Sequence, residues 1–192
     1  MTTEENIEEQ VKAALEYVRA QPVVAKPLGE KSMTSIDDPN VISVGTRYEF
    51  YLAYVIAVQL FTGKDVLSKA AHEWINKEVS HECAHFDAAF DIGVKNLRFC
   101  LLLENGGPSL YFSPTINLQH LPGEFSDLEF AAIAGAPVDP SEDDLAQLKA
   151  YGFSSTEELV TKILEHNGIE GAKQLPIPQA FRDTQALRAI GF

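Results

Sequence analysis

The chain has 192 residues, 45% of them hydrophobic, with 28 acidic side chains against 15 basic ones and a formal net charge of −13. That length and apolar content suit a folded domain with its own core and exclude global disorder. The charge argues against nucleic-acid backbones and anionic membrane surfaces as partners and is compatible with a basic protein surface.

Thr2 and Glu5 make a capping box that predicts a helix over 4–20, with Ile7, Val11, Ala14, Leu15 and Val18 as its apolar stripe. This acidic start lacks the basic residues and apolar run of a signal peptide, so a cytoplasmic location is expected. The two cysteines, Cys83 and Cys100, are too few for a disulfide framework and fit a reducing compartment. Residues 22–40 contain Pro22, Pro27, Gly29 and Pro39 and read as a loop wrapped around the core, followed by a short extended run over 41–44. A helix over 47–61 is apolar almost all round, which marks a central buried element too short to span a bilayer. The turn Thr62-Gly63-Lys64 joins it to a long helix over 65–93, giving an antiparallel helical hairpin.

Beyond Gly93 two apolar runs, 97–103 and 109–113, flank Asn105-Gly106-Gly107-Pro108 and predict a β-hairpin. His120 lies in an irregular stretch and reads as a surface histidine. A helix over 126–134 ends at Gly135 and Pro137. Ser141 caps a helix over 142–151, and Ser155 with Glu158 opens another that runs to about 166. Pro176 and Pro178 lead into a last helix over 179–190. The expected fold class is mainly α, of α+β type: a central antiparallel helical hairpin, one small antiparallel β-hairpin and a helical C-terminal region. A main domain over 1–136 and a small helical subdomain over 137–192 packed on it follow from the Gly/Pro-rich boundary.

Chemistry concentrates on the long helix. Residues four apart share a helix face, so His81 and His85 can direct two imidazoles to one ion. Around the wheel, Lys69, Glu73, Asn76, Lys77, Asp87 and Asp91 mark the solvated side, while Trp74, Ile75, Val79, Cys83, Ala88, Ala89 and Phe90 mark the apolar half. Glu78, His81, Glu82 and His85 fall on or beside the apolar half. Buried ionisable groups must be paired, neutralised or metal-bound.

The string His81-Glu82-Cys83-Ala84-His85 resembles the H-E-x-x-H motif of the zincins, the zinc peptidases named for it. The resemblance implies His81 and His85 as zinc ligands and Glu82 as the general base that takes a proton from metal-bound water. In one zincin branch the motif extends to a glycine and a further ligand. Here Ala88 stands in the glycine position and Asp91 in the last one, so the helix continues and Asp91 is expected to face solvent. Glu78 or Glu49 is then expected to complete the shell.

Two other functions use the same residues. Glu78-x-x-His81 with Glu49 from the preceding helix forms half of a ferritin-like di-iron site, iron replacing zinc, and a two-fold homodimer would supply the second half. Alternatively, carboxylate–imidazole contacts within the helix satisfy all four groups without metal. The protein is then a non-catalytic acidic partner of the inhibitor or immunity type, steered by its charge.

Overall fold

The computed structural model describes residues 41–104, 107–114, 125–168 and 174–182. The helices expected over 4–20 and beyond residue 182, and the histidine at 120, lie outside them. The chain is mainly α with a small antiparallel sheet, in the order β1 (Val41–Val44), α1 (Arg47–Thr62), α2 (Lys69–Asp91), β2 (Leu97–Glu104), β3 (Gly107–Pro114), α3 (Asp127–Ala134), α4 (Glu142–Ala150) and α5 (Thr156–Asn167). Among the described residues no helix is long and apolar enough to cross a membrane.

Two compact units are present, one from the described residues of Met1–Val79 and Arg98–Ser113, the other from those of Ser80–Leu97 and Pro114–Phe192. Within the second unit α3 packs on both α4 and α5. Helix α2 is continuous, and its N-terminal half belongs to the first unit and its C-terminal half to the second.

In the first unit the sheet order is β1-β2-β3, with Val41 opposite Leu102 and Val44 opposite Phe99 in an antiparallel ladder. The hairpin expected from the Gly-rich turn thus gains a third strand from the extended run before α1. Thr46 and Glu49 form a reciprocal capping box at the start of α1, and Gly63 ends it at φ 64°, a left-handed conformation that glycine adopts without Cβ strain. The α1 face bearing Phe50, Tyr54, Val55 and Val58 is buried, and Phe50 stacks on Phe99 at 4.7 Å between ring centroids. Burial of such a ring is worth about 1.5–3 kcal/mol, with a smaller further gain from the aromatic pair. Tyr51 bonds His72 Nδ1 at 2.9 Å, and Tyr54 lies against Trp74 at 5.7 Å, so aromatic side chains of α1 meet the first turns of α2. Trp74 is more exposed than its wheel position suggests, and Lys64 Nζ covers its ring at 4.7 Å. The end of α1, at Leu60 and Phe61, is also exposed, so this helix is buried along its middle and not all round.

In the second unit Ala131, Ala132 and Ala134 are buried on α3, and their small size brings its neighbours close. At Gly135 the approach is close: an added Cβ would stand 2.6 Å from Leu159 Cδ2. Leu148 of α4 and Leu159 and Ile163 of α5 complete this core. Serines cap all three helices, Ser126, Ser141 and Ser155, each accepting a backbone N–H of the first turn.

Candidate metal centre

Three helices of the second unit meet at one polar point in this core. Helix α2 contributes His81 and His85, one turn apart on the same face. Their rings stand nearly perpendicular, at 82°, and direct both Nε2 atoms at the same place, 3.3 Å apart. The start of α4 contributes Asp144, whose Oδ2 lies 3.1 Å from His81 Nε2 and whose Oδ1 lies 3.2 Å from His85 Nε2. His85 and Asp144 are each 6% exposed. The His81 side chain is 21% exposed and forms the solvent side of the cluster.

The end of α3 sets the orientation of His85. The last carbonyls of a helix have no partner within it. One of them, Ile133 O, accepts from His85 Nδ1 at 2.7 Å. A carbonyl only accepts, which assigns the proton to Nδ1 and leaves Nε2 for the cluster. Asp144 is fixed just as firmly. It is the third residue of the α4 capping box, and its Oδ2 accepts from Ser141 N at 2.8 Å and Ser141 Oγ at 2.7 Å. Burial alone would raise the Asp144 pKa, but the hydrogen bonds from His81, His85 and Ser141, with the His85 charge, hold the carboxyl well below the usual carboxylate range.

The ligand atoms of His81, His85 and Asp144 all lie within 4.8 Å of one another, a group able to hold a metal ion. Two ligands at zinc bond lengths subtending a tetrahedral angle stand about 3.3–3.4 Å apart, and at a right angle about 3.0 Å. His85 Nε2 lies 3.3 Å from His81 Nε2 and 3.2 Å from Asp144 Oδ1, both within that interval, while His81 Nε2 meets the other carboxylate oxygen, Oδ2, at 3.1 Å. With Nδ1 turned to the Ile133 carbonyl, His85 presents Nε2 to the cluster, where it can meet the carboxylate directly or, were a cation held there, share it with Asp144.

The structure thus brings together His81 and His85, and their third partner is Asp144, which is not among the candidate ligands named from the sequence. Glu49, expected as a possible ligand, serves as a cap in the first unit: its Oε2 accepts from Gly45 N and Thr46 N at 3.2 Å, and it is not in the group of three. Glu78 is likewise not a member of the group. It is partly buried in the first unit, where burial and the Glu78 charge together push the Tyr54 hydroxyl well above the usual phenol range. Asp91 is exposed, with a carboxylate oxygen 4.0 Å from Arg182. Glu82, next to His81, is partly buried and outside the group of three. The signal for Asp144 was present locally: it follows Ser141 at capping-box spacing and precedes Leu148 by one turn, so a carboxylate at that place on the buried face needs partners.

Compared with known proteins, the chain matches no family model, no curated protein and no solved structure.

Proposed function

We propose that the chain is a metal-dependent hydrolase of zincin type in which His81, His85 and Asp144 hold a zinc ion and Glu82 is the general base. The observation that carries this is the convergence of two imidazole nitrogens and one carboxylate within ligand reach of one another, with His85 and Asp144 each oriented by a partner outside the group. Two histidines and a carboxylate leave room for a further ligand, the arrangement of catalytic zinc sites and not of closed structural ones. When bound, the metal supplies Lewis acidity, lowering the pKa of water and polarising a carbonyl. The chain's own part is to direct Nε2 of His85 at the site by accepting its Nδ1–H at Ile133 O, to keep Asp144 ionised, and to accept a proton at the Glu82 carboxylate.

The test begins with elemental analysis of protein purified without added metal. About one zinc per chain, lost in His85→Ala, is expected. The zinc protein is then assayed on a quenched fluorescent peptide library. Glu82→Gln should keep its zinc and lose at least about a hundredfold in rate, the contribution of a general base. Zinc retention with an undiminished rate in Glu82→Gln would exclude that base, and iron with oxygen-dependent turnover would favour an oxidative centre. A metal-free chain that folds normally would leave the anionic interaction protein.

A further inference from the structure

We infer that Ser141 sets the denticity of Asp144: by occupying Oδ2 it leaves Oδ1 alone to bind the ion, and so keeps a coordination position open for water or substrate. This rests on the metal reading above. Both carboxylate oxygens face the cluster, Oδ1 beside His85 and Oδ2 beside His81. By position alone the group could grip an ion with both, filling one more place in its shell.

The hydrogen bonds divide the two oxygens. Ser141 N and Ser141 Oγ both donate to Oδ2, and a carboxylate oxygen has two in-plane lone pairs to receive them. The hydroxyl cannot readily turn away, because its own oxygen accepts the Asp144 backbone N–H at 3.2 Å. Among the described residues, Oδ1 is found only against His85. A metal bond at Oδ2 would compete with two short hydrogen bonds, and one at Oδ1 with none of them.

Helix α3 provides an internal control. Ser126 makes the same device there, donating from N at 2.7 Å and from Oγ at 3.0 Å to Glu129 Oε2, and its Oγ accepts Glu129 N. Glu129 is not a member of the ligand group. Removing either hydroxyl weakens a cap, but only at Ser141 does that also free a lone pair at the cluster. Ser141 is on these grounds a positioning residue acting through Asp144.

Cobalt(II) is the probe, used on the full chain, with acetohydroxamate as the added ligand. Wild-type protein should bind one cobalt and change its visible spectrum when acetohydroxamate enters the open position. In Ser141→Ala the carboxylate closes on the ion with both oxygens, so the visible bands weaken as coordination number rises. Acetohydroxamate affinity then falls about tenfold or more, the range seen when an outer-shell partner is lost. Ser141→Thr should restore both, and Ser126→Ala should lower the melting temperature without touching either. The inference fails if Ser141→Ala and Ser126→Ala give the same spectrum and the same acetohydroxamate affinity. Wild-type protein that takes up no cobalt would instead overturn the metal centre itself. Should Ser141→Ala not fold, Ser141→Gly, which helix caps tolerate better, is judged by the same criteria.

Discussion

Replacing Asp144 by asparagine keeps the size of the side chain and removes the charge that His81, His85 and Ser141 all face. Taking one partner from a buried charged group costs about 3–5 kcal/mol, because the remaining charges stay buried without it. The asparagine oxygen can still accept from Ser141, so the lower figure, about 3 kcal/mol, is expected in the presence of a chelator. In a chain of this length each kcal/mol moves the melting temperature by roughly 2–4 °C, giving a fall of about 6–12 °C. Zinc at a hundred times its Kd adds about 2.7 kcal/mol to the wild type, and most of that gain should vanish in the variant. The sign with pH follows from the depressed Asp144 pKa. A carboxylate held below its unfolded value, about 3.9, stabilises the fold above that value and loses the contribution as pH falls through the folded one. The gap between wild type and variant should therefore be full at about pH 6 to 8 and close on acidification below about 4. Calorimetry with chelator, then with zinc, across this range measures all three effects. A variant that melts like the wild type in chelator and still gains the full zinc increment would refute the reasoning.

The two histidines should separate by burial. His85→Ala empties a buried site and strips Ile133 O of a donor, so the metal-free protein should lose about 2–3 kcal/mol. His81→Ala, nearer solvent, should lose about 1 kcal/mol or less, and both variants should lose zinc in elemental analysis. Glu49→Ala removes half of the α1 capping box and should cost about 0.5–1 kcal/mol in urea denaturation with metal content unchanged. A fall in bound metal would restore Glu49 as a ligand. Gly135→Ala drives a methyl group against Leu159 and should cost about 1–3 kcal/mol, whereas Gly45→Ala, with nothing within 4 Å, should be close to neutral in the same assay.

The local framework was legible in the residues because its causes are local. Helix α1 begins and ends where Thr46 and Gly63 stand, and the Gly-rich turn predicted the β2–β3 pairing. Four-residue spacing put His81 and His85 on one face without reference to the rest of the chain. Some local signals compete. Thr46-x-x-Glu49 is a capping box, while in an idealised hairpin the same glutamate faces the next helix, and the cap is what the fold uses. Other readings failed because solvent exposure depends on neighbours: Phe90 falls on the apolar half of its wheel and is 66% exposed.

By itself the sequence determined the described helices, the serine caps of α3 to α5 and the placing of two imidazoles on one face, since each depends on interactions spanning a few residues. Only the tertiary structure decided which carboxylate those imidazoles meet. Asp144 reaches them because the small side chains of α3 bring α4 close, and Ile133 O becomes available because α3 ends beside His85. Both events join residues distant along the chain, through packing that no local periodicity encodes.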